Sequence, residues 1–194
     1  MLVLVIGVVA AQLLAGCSVG SGDPGADAAP VPSAGPWAQE FGDAVSDSSA
    51  YETKVLEDGL ITSAELADAQ ARKKACMRDA GYVLRISDDG TSDLTMADGG
   101  DLPATGVVDT AMQTCARRFD RSITMLFNEL RRNPEKQDEA KITVACLRAS
   151  GIVDGGYSER KWRSEYDSGV FSFNEWDERA VQCRLDPLGL WRDR

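Results

Sequence analysis

With no histidine among 194 residues, this chain has a narrow choice of chemistries. There is no imidazole to build a Ser-His or Cys-His nucleophile pair or a His-ligated zinc site. No C-x-x-C occurs, so thioredoxin-type exchange lacks its motif. Nor is there a G-x-x-x-x-G-K-[ST] phosphate loop. What remains is five cysteines, 31 carboxylates against 21 Lys and Arg, and a set of aromatic rings.

Four clusters could act, and each has a plainer reading beside it. Ser158-Glu159-Arg160-Lys161 has the S-x-x-K spacing of penicillin-interacting serine enzymes, but the S-D-N and K-T-G partners are missing. We read Ser158 as the cap of a short helix whose Trp162 and Tyr166 face inward. Asp58 through Glu65 looks like half of an EF-hand. Taking Gly59 as its turn glycine puts Lys54 and Leu56 at ligand positions that need oxygen. Asp88, Asp89, Asp93, Asp98 and Asp101 crowd one loop; turn formation explains them better than calcium does. We therefore expect neither metal nor cofactor. The fourth cluster is aromatic: Trp37, Trp162, Trp176 and Trp191, with Tyr157 and Tyr166, could stack on a glycan or protein partner. Trp162 and Trp176 read as packed inward, which leaves Trp37 and Trp191 as the possible binding aromatics, with the core the favoured place for Trp191.

Cys17 has a different chemistry. It follows Leu14-Ala15-Gly16 at the end of an apolar run from Leu2 to Leu14, the arrangement of a bacterial lipobox. The run falls short of the roughly 20 residues of a membrane span. Residues 1–16 read as a lipoprotein signal peptide, although no Lys or Arg precedes Leu2 as a signal normally requires, and we read the true start as lying upstream. A diacylated Cys17 would anchor the chain stably to a membrane, because two acyl chains hold where one does not. Residues 17–36 offer little to bury and read as a disordered tether reaching about 25 Å. The formal charge of −10 falls wholly after Gly16, which argues against nucleic acid and against electrostatic docking on anionic lipid.

Residues 37–194 are enough for one domain, and helix signals dominate it. Ile61-Thr62-Ser63-Ala64-Glu65-Leu66 is a capping box with a hydrophobic staple, and Phe171-Ser172-Phe173-Asn174-Glu175-Trp176 repeats it. Each should start a helix running into a cysteine, Cys76 and Cys183. Val108, Met112, Cys115, Phe119, Ile123, Leu126 and Leu130 mark one face of a long helix over 108–132. Asn133 then caps a further helix with Pro134 as its first residue. A less regular helix covers 37–57, and a small hairpin falls near 82–96.

With Cys17 set aside, Cys76, Cys115, Cys146 and Cys183 form an even set that allows three pairings. Cys76 and Cys146 each precede a helix-ending glycine, Gly81 and Gly151, and each has its next cysteine at a similar distance. That favours Cys76–Cys115 with Cys146–Cys183, each bridge contributing about 4 kcal/mol in the chain-entropy model. The expected fold class is mostly α, a disulfide-stapled helical bundle with one small hairpin.

These features together resemble a group of small secreted lipoproteins of actinobacteria with no assigned activity. The resemblance rests on Asp58-Gly59-Leu60-Ile61-Thr62-Ser63-Ala64-Glu65, Cys76-Met77, Gly81-Tyr82, Asn133-Pro134-Glu135 and Ala145-Cys146-Leu147-Arg148. It implies export and helical architecture and carries over no catalytic residue. The expectation is a membrane-anchored, extracytoplasmic, non-enzymatic module that binds or scaffolds an envelope protein or glycan. Two alternatives stand beside it. One is a His-free hydrolase using two carboxylates on cell-wall glycan; the other is a small-ligand carrier with an enclosed apolar pocket.

Overall fold

The computed structural model describes residues 35–87 and 91–192. The proposed signal, Cys17 and most of the tether lie outside these residues, as do Asp88 and Asp89. The described chain is mostly helical. After a 3-10 turn over Gly35–Trp37 come α1 (Ala38–Ser46), α2 (Ala50–Leu56) and α3 (Ser63–Asp79). Strands β1 (Tyr82–Ile86) and β2 (Ser92–Met96) follow, then α4 (Thr105–Phe119) and α5 (Ile123–Arg132). The last three helices are α6 (Glu139–Ala149), α7 (Glu159–Ser168) and α8 (Glu178–Leu185). None of the described helices is long and apolar enough to cross a membrane.

Local signals account for several of these boundaries. The capping box at α3 is complete: the Thr62 hydroxyl accepts from Glu65 N, and the Glu65 carboxylate accepts from Thr62 N at 2.8 Å. Helices α3 and α6 end alike. Ala80 N donates to Cys76 O and Gly81 N to Arg78 O, while Ser150 N donates to Cys146 O and Gly151 N to Arg148 O. Gly81 and Gly151 both take the left-handed conformation that such an ending requires, with φ of 90° and 68°. The hairpin pairs Tyr82 with Met96 and Leu84 with Leu94, and Tyr82 and Leu84 point into the core.

Other boundaries depart from the sequence reading. The expected helix over 108–132 is two helices, broken at Asp120-Arg121-Ser122. The free amides at the break are taken by carboxylates. Asp120 accepts from Thr124 N at 2.9 Å, and Glu52, fully buried on α2, accepts from Arg121 N at 2.7 Å and Ser122 N at 3.0 Å. Lys73 of α3 pairs with the buried Asp120 at 3.2 Å. These charge-assisted bonds replace the helical ones that the break removes. The expected helix over 37–57 is likewise split, with Ser49 capping α2 through Glu52 N.

Asn133 does not start a helix at Pro134. It is buried, and its side chain closes the connection to α6 through Gln137 N, Gln137 O and Glu139 Oε1, each at 2.8 Å. Lys136 takes a positive φ of 47° inside that loop, and α6 begins only at Glu139 with Asp138 as its cap. The second capping box also fails. Ser172 bonds to Glu165, Asn174 accepts from Trp176 N, and Asp177 caps α8.

Two bridges hold the chain. Cys76 is joined to Cys115 and Cys146 to Cys183, with Cα atoms 5.7 and 5.5 Å apart, ordinary spans for the bond. Burial is divided among three clusters. Trp37, Phe41, Leu56, Ile123 and Leu126 centre one on α1, α2 and α5. Met77, Tyr82, Leu84 and Cys115 form a second around the hairpin, and Val144, Leu147, Tyr157, Ala180 and the Cys146–Cys183 bridge form the third.

Candidate functional site

The third cluster carries an open groove of about 1010 Å³ bounded by α5, α6, α7, α8 and the segment after α8. On α7, Trp162 and Tyr166 stand one turn apart and stack, with ring centroids 4.9 Å apart and planes at 23°. Tyr166 is 63 % exposed. Gly169 ends α7 with φ of 68°, turning the chain so that Phe171 and Phe173 return along the groove. Phe173 meets the buried Tyr157 edge-on at 5.9 Å.

A carboxylate fixes this wall from behind. The Tyr157 hydroxyl donates to Glu165 Oε2 at 2.5 Å. Burial, followed by the bond to Glu165, pushes the phenol far up from its usual range. Burial also works against ionised Glu165, but hydrogen bonds from Tyr157 and Ser172 outweigh it and hold this carboxyl below its ordinary range.

The opposite wall depends on arginines. Arg132 Nη1 lies 3.2 Å from Glu129 and 2.7 Å from Glu139, while its Nη2 donates to Arg184 O at 3.1 Å. Burial disfavours this guanidinium, yet the two carboxylates more than compensate and raise its affinity for its proton. Beyond α8, fully buried Asp186 accepts from Leu190 N, Trp191 N and Arg192 N at 2.7 to 3.1 Å. Those amides hold Asp186 below the ordinary range against the cost of burial. The clasp sets Trp191 beside Leu185, whose carbonyl accepts from the indole at 3.2 Å. The Arg131 guanidinium lies 3.6 Å from the Trp191 ring centroid and that of Arg192 5.2 Å away. Trp176 stands on the rim, 71 % exposed, with the Arg184 guanidinium 5.5 Å from its ring.

This arrangement redistributes the residues singled out from sequence. Trp37 is no binding aromatic: it is buried in the first cluster and its indole donates to Asn133 O at 3.0 Å. Trp191 lines the groove. Trp176 faces solvent, because its staple never forms, and Tyr166 points outward where an inward position was expected. Ser158 caps α7 by accepting from Lys161 N, as the plainer reading had it. Asp98 accepts from Gly100 N in a turn, and among the described residues no group of three or more His, Cys, Asp or Glu is placed to hold a metal. Asp58 accepts from Leu60 N ahead of the α3 cap. The sequence reading named Trp176 but packed it inward, and did not single out Arg184; Asp177, a rival cap two residues beyond Glu175, was the signal for Trp176.

Glu129 and Glu139 share one guanidinium, which occupies oxygens that a hydrolytic pair would need. The space is an open groove rather than the sealed apolar pocket of a carrier. Comparison with protein-family models, curated proteins and solved structures finds no match to this chain.

Proposed function

We propose that this chain is an exported, non-enzymatic binding module, held by lipid on Cys17 at the extracytoplasmic face of a membrane and engaging another envelope component through the α5–α8 groove. The observation that carries this reading is the pair of exposed rings on the groove, Trp176 and Tyr166. Large aromatic faces left in water beside an open groove are a feature of recognition surfaces. Two disulfides suit an oxidising compartment, and the lipobox supplies the anchor.

Intact mass of the protein from the membrane fraction, before and after reduction, tests the anchoring. A diacylglyceryl adduct on a chain beginning at Cys17, with a gain of four hydrogens on reduction, is the expected result. An unlipidated chain overturns the anchoring. A photocrosslinker at Tyr166, compared with one at exposed Val107 on α4, tests the groove. Adducts confined to Tyr166 are expected; equal or absent labelling at both positions removes the groove from the function.

A further inference from the structure

The two bridges differ in what can reach their sulfurs. Cys146 and Cys183 are both buried, border neither the groove nor the depression between α3 and α4, and have the Ser150 hydroxyl 3.4 Å from Cys183 Sγ. Cys76 is half-exposed, and together with Cys115 it borders that depression, an open space of about 820 Å³. Thiol–disulfide exchange requires a thiolate to reach one of the two sulfurs, so access decides which bridge can react, and exposed bridges are the labile ones. Charge does not enter the choice: Arg72 and Arg118 share the rim with Asp79, and Arg72 is held by Asp68 at 2.7 Å.

The accessible bridge is also the deepest attachment of the first three turns of α4. Among the described residues of this helix Cys115 is the only one buried, with Val108, Ala111 and Met112 half-buried against the hairpin cluster. Upstream, Ala97 to Val107 is exposed throughout, so no side chain anchors the entry to α4 in the core. The far end is fixed. Ser49 Oγ donates to Arg118 O, Phe119 meets Tyr51 edge-on, and the buried Asp120 pairs with Lys73 and accepts from Thr124 N. An opened bridge therefore leaves α4 hinged at its last turn and resting on Met77, Tyr82 and Leu84 by half-buried side chains alone. We propose that Cys76–Cys115 is a site of thiol–disulfide exchange with a protein dithiol, and that its opening frees the first three turns of α4 from the hairpin cluster. The site is separate from the groove and stands whatever the groove binds.

The attacking thiolate bonds to Cys76 Sγ, the exposed sulfur, and the S–S electron pair leaves with Cys115, which takes up a proton. The second thiol of the dithiol then attacks its own partner sulfur in the mixed disulfide, expels Cys76 and closes a new disulfide on the dithiol. Two electrons and two protons thus pass from the dithiol to the bridge.

The experiment treats the oxidised full chain, purified in detergent, with reduced thioredoxin as the dithiol probe. Samples quenched with iodoacetamide at intervals are mapped by peptide mass. Labelling of Cys76 and Cys115 is expected to be at least about tenfold faster than labelling of Cys146 and Cys183, since only the first bridge is open to attack. A thioredoxin lacking its second active-site thiol should be trapped on Cys76. Hydrogen exchange on the selectively reduced chain, kept free of oxygen and unalkylated, should show protection lost over residues 105–115 and kept in α6, α7 and α8. Equal or reversed rates at the two bridges, or trapping on any other cysteine, overturns the exchange site. Protection retained over 105–115 overturns the release of α4, and protection lost in α6 to α8 as well replaces it with general unfolding.

Discussion

The two disulfide loops of this molecule are built from the same parts and put to different use. In each, a helix carrying the first cysteine ends at a left-handed glycine, and the second cysteine lies on a later helix 39 or 37 residues on. The Cys76 loop fills that interval with a hairpin whose inward residues, Tyr82 and Leu84, pack on Met77. The Cys146 loop fills it with α7 and an aromatic return whose rings are shared between core and solvent. The surface depression over Cys76–Cys115 is bordered by the small residues Gly106, Thr110, Ala111 and Thr114 on α4, with Arg72, Asp79, Tyr82, Arg118 and Phe119 around them. A common staple thus fixes the frame, and the inserted segment decides what surface lies over it.

Opening the bridges one at a time is the hardest test of that contrast. Replacing either pair with serine should cost about 4 kcal/mol by loop-closure entropy. The second loss should be the larger, because Cys146 and Cys183 are both buried while Cys76 is half-exposed. Urea unfolding under non-reducing conditions measures both. Equal losses would mean that the bridges act only through the unfolded chain.

Buried carboxylates provide the next test, since both regions use one to collect free amides. Glu52→Ala should destabilise the protein by about 3 kcal/mol, leaving the amides of Arg121 and Ser122 buried without their acceptor. Asp186→Asn should cost about 1–2 kcal/mol, because the amide keeps one acceptor for the Leu190, Trp191 and Arg192 amides and loses the charge. Equilibrium denaturation at neutral pH gives both values. A pH series then isolates the charge. Asp186 is held below the ordinary value of 3.8, so its contribution is present above that value. It is lost as pH falls through the lower folded-state value. The stability curves of wild type and Asp186→Asn should therefore converge in acid. A gap that persists there would assign the effect to shape rather than charge.

The smallest effect should come from the most exposed ring. Trp176→Ala ought to change stability by no more than about 0.5 kcal/mol. A larger loss in thermal unfolding would return Trp176 to the core and remove the main difference between the two regions.

Features written within a few residues of one another were legible in the sequence. Thr62 and Glu65 cap α3 from three residues apart, Ser158 caps α7, and the spacing of the cysteines pointed to their partners. Features made across the chain were not. Phe119, Ile123 and Leu126 keep helical spacing straight through the break between α4 and α5. The group that stabilises that break, Glu52, lies 69 residues from the amide of Arg121. At Trp176 two caps competed, and the tie was broken by Glu165 drawing Ser172 away, a contact between α7 and the segment after it that no local pattern records. The groove was hidden for the same reason, because four helices and the Asp186 clasp contribute to it.

The order of the bridges has a consequence for biogenesis. The loops follow one another along the chain, neither nested nor crossed: 76 with 115, then 146 with 183. For a polypeptide that reaches an oxidising compartment N-terminus first with Cys17 blocked by lipid, Cys76 and Cys146 each find their native mate in the next thiol to emerge. Sequential oxidation then yields the correct connectivity by default. Such a chain should mature with an oxidase alone, and shuffling by a disulfide isomerase becomes dispensable.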